Sequence, residues 1–233
     1  MTNKHEQGPL DREYIFTMTQ ANITGKNTMV NPNLFLFLDT ATHYTGYALF
    51  ELSTLDPAKA VLAGYGLIKA PGKDVVWDRS LKITAKVSNL IHTLKPGGLV
   101  VEYPTFQGGT KGNHAARSGA TLQLAYLCGR IAACWEYYVA TVYSRNAGNP
   151  MMEECAQRMG YAKLLPFAIW NGQRPKHVTC ERCEEFLELE PGTIDPKSID
   201  NNWVDAMMMG AWYVRKELHR TAYNDPTSER VDL

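Results

Sequence analysis

The fold is decided by the stretch from Leu34 to Glu51, which reads LFLFLDTATHYTGYALFE. A short apolar run ends at Asp39, and a second run, rich in Tyr, Thr and Phe, follows from His43 to Glu51. A third run, Val61–Lys69, continues the pattern after a polar interruption. Short runs of this composition, separated by turn residues, predict a meander of three strands.

Helix and strand patterns alternate after this meander. Val75–Leu94 places its apolar residues on one face of a helix, and Lys95-Pro96-Gly97-Gly98 is a helix stop signal. A buried strand is predicted next, at Leu99–Glu102, followed by a long helix with apolar positions from Leu124 to Tyr138 and a fifth strand at Val139–Tyr143. Two more helices are predicted at about Lys176–Leu189 and at about Asn201–Leu218. The order β-β-β-α-β-α-β-α-α predicts an α/β fold, in which helices cover a mixed sheet.

The composition indicates one compact domain. Of the 233 residues, 45% are hydrophobic, enough to bury roughly 70–75% of the surface of the unfolded chain. The 24 Lys and Arg residues balance 24 Asp and Glu residues, so that a nucleic-acid contact has to come from a local basic patch. No run reaches the roughly 18–20 apolar residues of a membrane-spanning helix, and no membrane partner is expected.

We expect three parts along the chain. Residues 1–32 are polar and are predicted to form a flexible extension, residues 33–220 the folded domain, and residues 221–233 a polar tail. The N-terminus lacks the apolar core of a secretory signal, and the five cysteines are odd in number and without a pattern. Both observations favour the cytoplasm.

Three acids stand where the surrounding sequence predicts burial: Asp39 ends LFLFLD, Glu102 ends LVVE, and Asp205 lies in WVDAMM. Each alone is compatible with an ordinary role, as a turn cap, a strand end or a helix surface residue. If they converge, two like charges about 4 Å apart repel by roughly 4 kcal/mol at an effective dielectric near 20. A converged cluster therefore needs protons or a cation, and oxygen ligands favour Mg²⁺ or Mn²⁺.

The same motifs resemble those of RuvC-type Holliday junction resolvases. LFLDTATHYTGYALFE resembles the opening of that family, with Asp39 ending the first strand and Thr45-Gly46 opening the second. LVVEYPTF resembles the second motif, ATLQLAYLCGRIAA the helix that follows it, and Asp205-Ala206 in NNWVDAMMMGAWYV the closing Asp-Ala motif. The resemblance implies an RNase H-like fold, which is a five-stranded mixed sheet flanked by helices.

The resemblance also implies a reaction and a set of ligands. The reaction is phosphodiester hydrolysis by two metal ions, with Asp39 bridging both and with Glu102 and Asp205 completing one site. Family members carry a further acid three residues before the last one, where this chain has Asn202; Asn202 or Asp200 is expected to help at the second site. RPKHVTCERC is similar to the segment that holds a catalytic lysine, which would be Lys176.

Candidate DNA contacts lie in two basic segments and beside the second acid. Cations are available at Lys111, His114 and Arg117, and again at Arg174, Lys176 and His177, although they are also compatible with a solvated surface. Tyr103 and Phe106 follow Glu102, and the family places a base-stacking aromatic there, for which Phe106 is the candidate. The expected partners are a four-way DNA junction and a second copy of the chain, because two symmetric nicks need two active sites. The segment 145–172 is longer than the corresponding link of the family and is expected as an insertion that adds contacts.

Three other functions stay open at this point. Another RNase H-like nuclease would act on branched DNA or on RNA–DNA hybrids. A non-catalytic DNA-binding module of the same fold is suggested by Asn202, which replaces a charged ligand. An actin-like kinase or ATPase also ends its first strand in Asp, but it is disfavoured because it normally needs a Gly-rich phosphate loop and a much longer chain, and neither is present.

Overall fold

The computed structural model describes residues 30–53, 60–70, 74–104, 119–145, 147–172, 174–198 and 201–218. The strands are β1 (Asn31–Asp39), β2 (Tyr44–Leu52), β3 (Ala60–Lys69), β4 (Pro96–Tyr103) and β5 (Lys163–Pro166). The helices are α1 (Val76–Leu94), α2 (Ala120–Arg145), α3 (Pro150–Met159), α4 (Phe167–Asn171), α5 (Lys176–Leu187) and α6 (Asn202–Tyr213), which continues as a π-helical turn over Val214–Leu218. Most of the predicted N-terminal extension and all of the C-terminal tail lie outside the described residues.

The five strands form one mixed sheet in the order β3-β2-β1-β4-β5. β1, β2 and β3 are antiparallel neighbours, which confirms the predicted meander. β4 lies parallel to β1, and β5 lies parallel to β4. The carboxyl ends of β1, β4 and β5 therefore meet at one edge, the usual location of binding sites in sheets of this kind.

The predicted fifth strand at Val139–Tyr143 is wrong, because these residues belong to the last turns of α2. The β-branched residues there favour a strand locally, but Ile131, Trp135, Tyr138 and Val142 recur at helical spacing and are all buried. The burial of that stripe decides the conformation. The fifth strand is instead β5, and it comes from the segment 145–172 that was expected as an insertion.

Helices cover both faces of the sheet, as predicted. Strand β1 alternates between the two faces: Leu36 and Leu38 pack with α1 and α2, whereas Phe37 packs with α5 and α6. The two cores bury Trp135 on the first side and Trp170 on the second. No helix in the described part of the chain is long and apolar enough to span a bilayer.

Candidate active site

Asp39 and Glu102 lie side by side at the carboxyl edge of the sheet. Leu38 of β1 pairs in register with Val101 of β4, so that the next residues of these parallel strands, Asp39 and Glu102, are level with each other. Neighbouring strands are about 4.8 Å apart, and both side chains point to the face covered by α6. Asp39 is only 8% exposed. The two strand ends are tied together because the Thr40 hydroxyl donates to the Glu102 carbonyl over 3.1 Å.

The Glu102 carboxylate is held by Trp170, a residue that the sequence analysis did not single out. The indole N–H of Trp170 donates to Oε2 of Glu102 over 3.0 Å. Trp170 lies in α4, directly after β5, and is 2% exposed. A tryptophan in a segment regarded as an insertion carries no spacing signal, and it takes on meaning only once β5 is placed beside β4.

Asp205 reaches the same face from the first turn of α6. The approach depends on Gly46, which pairs with Asp39 across β1 and β2. A Cβ atom at position 46 would lie 2.1 Å from the backbone carbonyl carbon of Asn202, far inside contact distance. The Asn202 amide in turn donates to the carbonyl of Tyr44. Only glycine in the Thr45-Gly46 motif therefore lets the start of α6 rest on β2 beside Asp39.

The three carboxyl groups influence one another electrostatically. Burial, and then the charges of Glu102 and Asp205, raise the pKa of Asp39 well above its ordinary value. Burial and the Asp205 charge raise the pKa of Glu102 to about 8, against a smaller opposing effect of its hydrogen bond with Trp170. Burial also raises the pKa of Asp205, although Lys176 opposes the shift. The cluster therefore favours bound protons or a cation, as the sequence predicts for converging carboxylates.

Lys176 is the cation already present in the cluster. It is the first residue of α5, and its ammonium forms an ion pair with Asp205. The same ammonium donates to the carbonyl of Asn201 over 3.1 Å. The lysine expected from RPKHVTCERC thus lies beside the acids, and its charge partly opposes the rise in the pKa of Asp39 and of Glu102.

The donor set suits a hard divalent cation. Asp39, Glu102 and Asp205 offer carboxylate oxygens only. Their raised pKa values mean that the cluster holds protons tightly, and a bound cation would have to displace those protons. Within the described ranges, no group of three or more His, Cys, Asp or Glu side chains is placed so that it could hold a metal ion. Asp205 is paired with Lys176, and coordination would require its carboxylate to share or exchange that partner.

The remaining predicted residues are placed differently. Asn202 is bonded through its amide nitrogen to Tyr44, so that only its carbonyl oxygen is left for a metal, and Asp200 lies outside the described residues. Tyr103 is 37% exposed at the end of β4, and His177 is exposed in the first turn of α5. Arg174 donates to the carbonyl of Trp170 over 2.8 Å. The other candidate DNA contacts, Phe106, Lys111, His114 and Arg117, also lie outside the described residues.

The fold is that of an RNase H-like domain, as the motifs predicted. Among solved structures, the yeast mitochondrial Holliday junction resolvase Ydc2 matches with a TM-score of 0.50 and 11% identity, over 85% of this chain and 86% of that chain. The chain therefore shares its fold with this yeast resolvase.

Two structures of the Thermus thermophilus RuvC protein also match, both at 14% identity. RuvC gives a TM-score of 0.47 over 79% of this chain and 97% of that chain. RuvC in complex with a Holliday junction substrate gives 0.42 over 78% and 94%. No protein-family model matches the chain, and no curated protein matches it in sequence.

Proposed function

We propose that the protein is a structure-selective endonuclease that resolves four-way DNA junctions by divalent-metal-dependent phosphodiester hydrolysis. The observation that carries the proposal is the convergence of Asp39, Glu102 and Asp205 at the carboxyl edge of a RuvC-type sheet, with the pKa of each raised. The likeness to the yeast resolvase supports the fold, and the site chemistry supports the reaction class.

The residues of the chain have separable roles in this reaction. Asp39, Glu102 and Asp205 would hold Mg²⁺ or Mn²⁺, which supplies Lewis-acid stabilisation of the phosphate and a water of lowered pKa. Trp170 holds the Glu102 carboxylate in place through its 3.0 Å hydrogen bond. Lys176 lies within reach of Asp205 and would place positive charge beside the scissile phosphate, where negative charge increases in the transition state.

The substrate and the assembly belong to the same proposal. We infer a four-way junction as the substrate and a homodimer as the active form, because a resolvase makes two nicks related by twofold symmetry. Tyr103, Arg174 and His177 are candidate DNA contacts among the described residues. Phe106, Lys111, His114 and Arg117 remain candidates in the segment after β4. The cytoplasmic location stays a prediction, since the yeast structure is that of a mitochondrial protein.

A cleavage assay on matched substrates tests the function. Labelled four-way junction, flap, linear duplex and RNA–DNA hybrid are incubated with purified protein and Mg²⁺, and parallel reactions contain chelator. We expect paired nicks in the junction only with metal, and none with Asp39→Asn. Asp78→Asn is the matched control, because Asp78 is exposed on α1 on the other side of the sheet. Metal-dependent cleavage of the hybrid or flap alone would replace the junction with another RNase H-like substrate.

The second candidate is a non-catalytic DNA-binding module of the same fold. Two observations favour it: Asn202 stands where a further acid is expected and is bonded to Tyr44, and Lys176 already neutralises Asp205. This module would bind the junction with or without metal and leave it uncut. The two candidates are separated by the same assay, because only the nuclease yields metal-dependent nicks in wild-type protein that Asp39→Asn abolishes.

A further inference from the structure

A basic groove runs away from the carboxylates along α6. It has a volume of about 490 Å³ and lies between α4, α5 and the continuation of α6, with Trp170, Met208 and Trp212 in its wall. Four cations line it: Arg174, Arg182, Arg215 and Lys216. None of the described residues that line it is acidic. In a chain whose formal net charge is zero, this concentration of positive charge is local.

The groove is continuous with the carboxylate cluster through α6. Asp205, Trp212 and Lys216 lie close to one line along the helix, because they are seven and four residues apart. Asp205 and Arg215 are ten residues apart, which at about 1.5 Å per residue separates them by roughly 15 Å along the helix axis. On α6 the groove therefore begins at Met208, about one helical turn from Asp205, and extends to Arg215 and Lys216, about 15 Å from Asp205.

Trp170 also connects the groove with the carboxylate cluster. Its indole N–H holds Glu102, while its carbonyl accepts a hydrogen bond from the Arg174 guanidinium over 2.8 Å. Asn171 accepts a second bond from Arg174 at 3.5 Å, so that two bonds hold the guanidinium in place, and Arg174 itself lines the groove. Burial, and then the charge of Arg182, lower the pKa of Arg174, which means that two cations face each other here.

We propose that this groove binds the sugar–phosphate backbone of the DNA strand that leaves the active site. The assignment to DNA rests on the proposed function, whereas the polyanion character rests on the four cations. One DNA strand carries a phosphate about every 3.4 Å along the duplex axis, so a strand following α6 would place phosphates about four or five nucleotides from the cut against Arg215 and Lys216. Guanidinium groups bind phosphate through paired N–H donors, and an ammonium group binds it as a point charge.

Binding measured without cleavage tests the groove independently of the nuclease activity. The groove variant carries Arg182→Gln with Lys216→Gln, both exposed, so that the fold should be retained. The control variant carries Arg158→Gln with Lys86→Gln, one Arg and one Lys exposed on helices of the opposite face. Fluorescence anisotropy of a labelled duplex and a labelled junction is recorded in chelator at several salt concentrations, after thermal melting has shown that both variants are folded.

We expect the slope of log affinity against log salt to be smaller in magnitude by about two for the groove variant, since each lost phosphate contact removes about 0.9. Affinity near 0.1 M salt should fall at least about tenfold, and the control variant should bind as the wild type does. A slope and affinity like those of the control would overturn the inference. The same variants are also tested for binding of a labelled poly-glutamate peptide. If the groove variant loses as much affinity for this peptide as for DNA, or more, the inference is also overturned, because the groove would then fit an acidic protein segment.

The outcome is distinguishable from failure of the proposed function. If wild-type protein cuts none of the substrates but the groove variant loses DNA affinity as described, the backbone site stands and the nuclease assignment falls. If the junction is cut with Mg²⁺ but the groove variant binds and cuts like the control, the nuclease stands and the groove assignment falls.

Discussion

Gly46→Ala should displace the start of α6 and inactivate the site without unfolding the sheet. The added Cβ would stand 2.1 Å from the carbonyl carbon and oxygen of Asn202, whereas ordinary contact begins near 3.4 Å. The helix start must therefore move by about 1.3 Å, and Asp205 moves with it because it is in the same first turn. Overpacking of this kind costs about 1–3 kcal/mol of unfolding free energy. A misplacement of about 1 Å at a catalytic group costs about a hundredfold in rate.

Gly64→Ala is the matched control for this change. It adds the same methyl group to a strand of the same sheet, but the nearest atom, Cδ1 of Leu49, is 3.7 Å away, which is ordinary contact. The measurements are the urea unfolding free energy of both variants and the single-turnover rate of metal-dependent junction cleavage. We expect Gly46→Ala to lose both stability and rate, with junction affinity in chelator largely kept, and Gly64→Ala to stay close to wild type. A Gly46→Ala protein that cuts at the wild-type rate would refute the reasoning.

Three further changes probe the carboxylate cluster. The pKa of Glu102 is raised from 4.5 to about 8, so that between these pH values the folded protein keeps a proton that the unfolded chain has released. The unfolding free energy should therefore fall as the pH rises, by about 3 kcal/mol between pH 5.5 and 8.5. In chelator, melting curves should show a smaller fall for Glu102→Gln, and an equal fall would contradict the assignment. Trp170→Phe removes the hydrogen bond to Glu102, so that the cleavage rate should fall and the Mg²⁺ concentration needed for half-maximal rate should rise. An unchanged Mg²⁺ requirement would show that Trp170 has no role in holding the metal ligands. Lys176→Met leaves Asp205 without its ammonium partner. Above pH 8 the metal-free variant should therefore melt at a lower temperature than metal-free wild type, and Mg²⁺ should raise the melting temperature of the variant more than that of wild type. A melting temperature that Mg²⁺ does not change would argue against metal at this site.

The part of the fold that the sequence predicts correctly depends on local signals. The meander, α1 and β4 follow from apolar runs that end at residues with distinct turn or stop chemistry, such as Asp39 and Lys95-Pro96-Gly97. The fifth strand does not follow from such a signal. Its four residues, Lys163–Pro166, form a strand because β4 offers an open edge, whereas Val139–Tyr143 has the better strand composition and is helical. Tertiary pairing outweighs local propensity in both segments.

The candidate site divides in the same way. Asp39, Glu102 and Asp205 are recognisable because each is an acid within an apolar run, and Lys176 because of the segment around it. Trp170 is not recognisable, since its role arises from the pairing of β5 with β4. The reason that a glycine follows Thr45 is likewise invisible in the sequence, because it lies in the closeness of a helix more than 150 residues away along the chain.

The central claim is that three distant carboxyl groups form one divalent-cation site, and the most direct measurement is anomalous diffraction from crystals of the protein grown with Mn²⁺. The account predicts an anomalous peak within coordination distance of the carboxylate oxygens of both Asp39 and Glu102, and its loss in crystals of Asp39→Asn. Manganese peaks only at other positions on the protein, under conditions that saturate binding in solution, would contradict it.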